Sequence, residues 1–272
     1  MVFIVIFAGL FLLLWGFFIV VARPLEHALR VLANRTARFR YTDYLPVVIL
    51  VVVGFAVSAF AADAFEDLAE LVHGQSPLLH QADTKAHQWA SNHRSPGATA
   101  FFTAFTFAGG PPFLAVVVAI VAIVLVVQRR FRWAAYVVLT TGLGSLLVLQ
   151  LKIYFARARP DLTVALRHAK GYSFPSGHAM GSTIVAGALT YLAFRVCKTW
   201  PSKAAALAAG TTFIAAVSFS RVYLGVHWIS DIAAGLTAGL LWITTATIAY
   251  EAVRRIRLIR ELRRRARTPE TP

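Results

Sequence analysis

Three short stretches of this sequence concentrate the side chains that could do chemistry. The first runs from Lys152 to Arg159-Pro160. The second runs from Gly171 to Pro175-Ser176-Gly177-His178, and the third from Ser220-Arg221 through His227 to Asp231. Each abuts a strongly apolar run, where an unpaired charge is costly, so polar residues there mark a polar cavity or a binding site. Singly, each stretch has a plainer reading. Lys152, Arg157 and Arg159 at a helix end can snorkel to headgroups, Ser176 can simply cap a helix, and His227 and Asp231 share a helix face as a structural polar pair would. Together they converge. Lys152, Arg159 and Arg221 supply three cations, the guanidinium groups suited to bidentate contact with phosphate oxygens and the ammonium acting as a compact charge. A helix opening at Gly177 adds backbone N–H groups, a glycine that lets an anion approach closely, and the Ser176 hydroxyl.

Two histidines beside such a phosphate cradle, one with a carboxylate partner, exceed what binding requires. The chemistry they predict is covalent phosphoryl transfer. Neutral His227 attacks phosphorus through one ring nitrogen while Asp231 accepts a hydrogen bond from the other, fixing the tautomer and stabilising the developing charge. His178 donates a proton to the departing group and then activates water against the phosphohistidine. The cations stabilise charge on the equatorial oxygens of the transition state. A two-metal mechanism needs several carboxylates, and only Asp161 and Asp231 lie in or beside these stretches, so a metal-free site without a cofactor is expected.

The elements that must position these residues are membrane helices. Of the 272 residues, 58% are hydrophobic and 14% charged, with a mean hydropathy of +0.66. Soluble domains run near 45–50% apolar and about 25% charged, so a soluble globular domain is excluded and so is disorder. One cysteine, Cys197, excludes a disulfide framework within the chain and a zinc site built on several thiolates. Seven runs approach the ~20 apolar residues a transmembrane helix needs: 3–21, 45–62, 113–127, 133–151, 177–194, 204–219 and 229–250. The first lacks the basic flank of a signal peptide and reads as a retained helix.

The net charge of +15 reflects contact with anionic headgroups and topology signalling rather than nucleic acid. Most of the 27 basic residues fall on one side. These are Arg23, Arg30, Arg35, Arg38 and Arg40, then Arg129, Arg130 and Arg132, then Arg195, Lys198 and Lys203, and a tail from Arg254 to Arg267. The positive-inside bias puts the tail in the cytoplasm and the amino terminus, with the three chemical stretches, outside. The outer segment 63–110 begins acidic, and its 78–94 part has the spacing of an amphipathic helix lying in the interface. Its histidines, His73, His80, His87 and His93, with Asp83, show no tight ligand spacing and read as scattered on a wet face. Gly177-x-x-x-Gly181 and Gly235-x-x-x-Gly239 read as packing within the monomer.

Lys152-x6-Arg159-Pro160, Pro175-Ser176-Gly177-His178 and Ser220-Arg221-x5-His227-x3-Asp231 resemble the three-part signature of the type 2 phosphatidic acid phosphatase superfamily, with every motif residue present and in order. The resemblance spans 152–231 and implies an all-α polytopic membrane helix bundle, a six-helix phosphatase core plus one extra N-terminal transmembrane helix. The division that follows is 1–44 for the extra helix and a basic loop, 45–250 for the core and 251–272 for a basic cytoplasmic tail. The implied activity is that of a metal-independent lipid phosphatase. His227 would be the nucleophile, Asp231 its orienting partner and His178 the acid and base, with Lys152, Arg159, Ser176, Gly177 and Arg221 holding phosphate. Location selects the substrate class: a lipid phosphate or diphosphate at the outer face of the plasma membrane, its tail left in the bilayer. Polyprenyl (undecaprenyl-type) diphosphate, phosphatidic acid, phosphatidylglycerol phosphate and lipid A-type phosphates all satisfy that condition, with a carrier-lipid diphosphate favoured by an outward site. Anionic headgroups at the basic tail are the other expected partners; oligomeric state is open. A phosphotransferase using the same intermediate and a non-enzymatic headgroup-binding or transport protein are the competing readings. Vanadate-holding haloperoxidases share the motifs but do not fit seven crossings.

Overall fold

A computed structural model of the chain describes residues 2–36, 45–160, 165–167 and 169–265, and for 21–36, 45–47 and 263–265 the backbone alone. Arg38, Arg40, Asp161 and Arg267 lie outside the described residues. Regular structure among the described residues is entirely helical: α1 (Val2–Thr36), α2 (Leu45–His73), α3 (Pro77–Asn92), α4 (Pro96–Ala108), α5 (Pro111–Val127), α6 (Phe131–Phe155), α7 (Gly177–Val196), α8 (Trp200–Tyr223) and α9 (Ile229–Arg265). Local chemistry sets several of the boundaries. Ser95 caps α4 and Thr199 caps α8, each with a proline in the first turn, whose missing N–H costs nothing there. Ala156, at φ 44°, ends α6 in the left-handed region.

Six of these helices are long and apolar enough to cross a membrane. The expected third crossing is built differently. α5 has only 17 residues, and it forms a seventh span only together with α4, from which it bends by 50° at Gly109-Gly110. The break packs Gly109 against the Val217 side chain of α8, where a Cβ would clash. The 63–70 stretch, read from its acidity as the start of an outer loop, is instead the last turns of α2. Lipid-facing side chains such as Phe55, Phe60, Ile120 and Ile123 stay exposed. In hydrocarbon that exposure carries no penalty, and the helices satisfy their own backbone groups.

α7, α8 and α9 form the centre. Gly235 and Gly239 bring α9 onto α7, because a Cβ at either position would lie 2.8 Å from Ser176 O or Thr183 Cβ. α2 lies along α9, with Ser58 Oγ 3.0 Å from Thr244 Oγ1. α1 packs outside α8 and α4 through Phe3 and Phe7 on Phe102. It is pinned near its middle by Trp15 donating to Pro201 O (3.0 Å) and Trp200 donating to Phe18 O (3.2 Å). α3 docks on α8 and α9 at the same end of the bundle as the chemical residues, burying Asp83 and Ala90.

Candidate active site

The three stretches meet at one end of the bundle. Lys152 comes from the last turn of α6, Arg159 from the segment after it, Gly177 and His178 from the first turn of α7, Arg221 from the last turn of α8, and His227 from the loop before α9. All six line one cavity of about 900 Å³. Ser176 and Asp231 stand behind it, both fully buried. The Ser176 hydroxyl accepts the Ala179 N–H (3.5 Å), and its own N–H donates to Asp231 O (2.9 Å), so the start of α7 is tied to the start of α9.

His227 is 2% exposed. Its Nδ1 lies 3.3 Å from Asp231 Oδ2, and its Nε2 lies 3.1 Å from Arg159 Nη1. A guanidinium can only donate, so Nε2 is the acceptor and the ring proton sits on Nδ1, facing the carboxylate. Burial, reinforced by Arg221, Arg159 and Lys152, holds the His227 imidazole neutral, well below the usual histidine range. Linkage fixes a sign: below about pH 6.5 the unfolded chain takes up a proton that the folded ring refuses, so stability falls with pH from there downward. The drop in thermal midpoint between about pH 7.5 and about pH 5.5 should therefore be smaller in His227→Gln than in the wild type. Equal drops would show that this ring is not held neutral.

Arg159 is fixed by four carbonyls. It donates to Gly171 O (2.9 Å), Val226 O (2.8 Å), Lys170 O (3.1 Å) and Tyr172 O (3.2 Å). Lys152 Nζ donates to Tyr172 O at 2.7 Å. Arg221 donates to Thr106 Oγ1, while its buried Nε has no partner among the described residues. A buried guanidinium N–H left unpaired is costly, and an anion in the cavity would satisfy it. His178 is hydrogen-bonded to the Thr106 backbone. The α4–α5 break thus touches both the acid–base candidate and a phosphate-binding candidate.

Two residues acquire roles that their sequence positions did not disclose. Arg157, outside the matched pattern and read as either joining the cradle or only facing headgroups, turns inward. It donates to Asp231 Oδ1 (2.7 Å), Ser230 Oγ (2.8 Å) and Asp83 Oδ2 (2.8 Å). Asp83, read as one of several polar groups on a wet helix face, is 1% exposed and accepts both Ser230 N (3.0 Å) and Ser230 Oγ (2.8 Å). Asp231 Oδ2 also accepts the Trp228 N–H (3.0 Å). The carboxylate behind His227 is therefore held on every side. The available signals were an arginine two residues before the motif arginine and a lone acid on the polar face of α3.

The cavity changes character along its length. Near the histidines it carries Lys152, Arg159 and Arg221, with Arg167 and Lys170 exposed at its margin. Farther in, between α5, α6 and α7, it is lined by side chains such as Val118, Val138, Leu149 and Val185. A charged headgroup and an apolar tail fit such a shape.

A family model described as PAP2 superfamily matches residues 133–255. Phosphatidylglycerophosphatase B of Bacillus subtilis is 30% identical over 195 residues, covering 70% of this chain and 93% of that protein. A putative undecaprenyl-diphosphatase, YbjG, of Escherichia coli is 36% identical over 88 residues, 32% of this chain and 40% of that one. The crystal structure of a transmembrane PAP2-type phosphatidylglycerolphosphate phosphatase from Bacillus subtilis superposes with a TM-score of 0.64 at 28% identity, covering 70% of this chain and 94% of that one. With six signature residues lining one cavity, Ser176 and Asp231 buried behind it, and a relative matched over nearly its whole length, this chain belongs to the PAP2 superfamily.

Proposed function

We propose that this chain, a membrane lipid phosphatase of the PAP2 type, hydrolyses a lipid phosphate or diphosphate headgroup at the outer face of the plasma membrane through a phosphohistidine. The observation that carries the reading is the His227 tautomer. Nδ1–H faces Asp231 and the Nε2 lone pair faces the cations at the head of a cavity whose far part is apolar. A phosphate that takes Arg159 as a ligand draws its guanidinium from Nε2 and leaves that lone pair in line with phosphorus. The N–P bond forms as the P–O bond to the lipid breaks, and His178, which takes up a proton as the substrate's negative charge offsets the cations around it, gives that proton to the leaving oxygen. Water then attacks phosphorus, the N–P bond breaks, and His178 takes the water's proton. We assign the core to 45–250, with 1–44 as an added helix and loop and 251–272 as the tail; α1 packing outside α8 and α4 supports that division.

The side of the membrane rests on charge. Arg129, Arg130, Arg132, Arg195, Lys198 and Lys203 lie at the helix ends opposite the site, where positive-inside bias favours the cytoplasm. Proteolysis of sealed cells at the 254–267 tail from outside would reverse this orientation.

Among lipid substrates we favour a carrier-lipid diphosphate. Arg159 grips the backbone at Lys170, Gly171 and Tyr172, and the Leu166 N–H donates to Leu224 O (3.0 Å) beside Arg167; Arg167 and Lys170 stand at the cavity margin, where a second phosphate would lie. Neither pairs with a carboxylate among the described residues. Arg167→Gln/Lys170→Gln should raise KM for a polyprenyl diphosphate by about tenfold, the scale of losing an exposed charge-assisted contact, and leave a lipid phosphomonoester within about twofold. An equal rise for both substrates would place the pair outside a second-phosphate site.

The test of the reading as a whole is phosphate release by detergent-solubilised protein from a panel of lipid phosphates, with and without EDTA. Turnover should be unchanged by the chelator. Asp231 and Asp83 spend their oxygens on Arg157, Ser230, Trp228 and His227, so neither is free to hold a metal. Loss of activity restored only by Mg²⁺ would overturn the metal-independent mechanism.

A further inference from the structure

At the end of the bundle opposite the phosphate site, α6 and α9 enclose a second cavity, of about 420 Å³. Arg132 in the first turn of α6 and Arg254 and Arg257 on α9 stand at its outer part. Leu139, Leu143 and Trp242 line it deeper in. From Arg132 to Leu143 the helix rises about 16 Å, much of the length of an acyl chain. Tyr136 and Tyr250 lie between, with ring centroids 4.8 Å apart. The deep wall is fixed, because Trp242 Nε1 donates to Thr140 O at 2.8 Å.

The charge around this cavity is unbalanced. Glu251 is buried and accepts from Tyr191 (2.8 Å), Arg195 (3.4 Å), Arg254 (2.7 and 2.6 Å) and Arg255 (3.2 Å). One carboxylate already serves three guanidinium groups. Arg132 and Arg257 pair with no carboxylate among the described residues. At the edge of hydrocarbon, surplus positive charge beside an apolar cleft is stabilised by an anion that itself carries an apolar tail.

We propose that this cavity is a binding site for one anionic phospholipid, its phosphate held by Arg132, Arg254 and Arg257 and an acyl chain lying along Leu139, Leu143 and Trp242. The lipid is not a substrate here, because the site holds no histidine and lies at the far end of α6 from His227. The inference needs α6 and α9 to cross the bilayer but does not depend on the phosphohistidine mechanism. It replaces diffuse attraction at the basic tail by one defined site.

The experiment is native mass spectrometry of delipidated full-length protein titrated with phosphatidylglycerol or phosphatidylcholine. Wild type should bind one phosphatidylglycerol at least about tenfold more tightly than phosphatidylcholine. Arg132→Gln/Arg257→Gln should lose that preference while keeping turnover on a detergent-dispersed lipid phosphate, which shows that it folds. Leu143→Trp fills the deep part without touching charge and should also lose the bound lipid. Millimolar inorganic phosphate should not displace it. Equal affinity for the two lipids, retention of the lipid in both variants, or displacement by free phosphate would each overturn the proposal.

Discussion

His227→Ala is expected to abolish phosphate release, with turnover down at least about 10⁴-fold, because no other side chain can present a lone pair where His227 Nε2 does. The phosphoenzyme that acid quenching should trap from wild type should disappear with it. The variant should still fold, since an imidazole in a pocket already lined by polar groups contributes little hydrophobic packing. Added imidazole gives a further readout. A small molecule entering the vacated space should restore a measurable part of turnover, which a purely structural role would not allow. Unchanged turnover in His227→Ala would remove this residue as the nucleophile, and loss of turnover with a normal phosphoenzyme would move the role to another side chain.

Arg157→Met should have the second-largest effect, and on two observables. One guanidinium neutralises two fully buried carboxylates, Asp83 at 2.8 Å and Asp231 at 2.7 Å. Removing it strands both. Breaking a buried pair by deleting one partner costs about 3–5 kcal/mol. The Arg157 side chain is 18% exposed, so the lower end of that range, about 3 kcal/mol, is the expected loss, read as a lower thermal midpoint or faster inactivation in detergent. Arg157 is a positioning residue: it orients Asp231, which orients His227. kcat should therefore fall by about 10²-fold while KM stays within about twofold. Arg157→Met/Asp83→Asn separates the two effects. It removes one stranded charge and should recover part of the stability, but not kcat. A double variant that recovers both would show Arg157 to be purely structural, and a single variant with wild-type stability would mean that the network contributes nothing to the fold.

Much of the site was legible in the sequence because its members sit in short strings at fixed spacings. Gly177 and His178 open a helix behind Ser176, and His227 meets Asp231 four residues on, although His227 lies in the loop ahead of α9 and not on a shared helix face. Such features are local, and local geometry follows from residue type and interval. Helix existence was legible for the same reason: long apolar runs have no alternative in hydrocarbon. The α4–α5 break was not. Gly109-Gly110-Pro111-Pro112 marks a bend, but α8 decides how the two helices lie, through the contact of Gly109 with Val217.

What the sequence determined by itself was the class of molecule, the apolar centres of six crossings and the chemical character of the cluster at one end, all of which depend on neighbours along the chain; the second and last helices run about a dozen residues past their apolar runs, and the third crossing needs α4 as well as α5. What only the tertiary structure decided was which polar groups serve that cluster from afar. Arg157 and Arg159 are two residues apart and of one type, yet one grips Asp83 and Asp231 while the other faces His227 Nε2. Asp83 looks like any acid on an amphipathic helix until α3 docks and buries it against Ser230. The physical reason is that a charge's role is set by what desolvates it and what pairs with it. For Arg157 and Asp83 both come from segments more than seventy positions away, whose approach no interval in the sequence encodes.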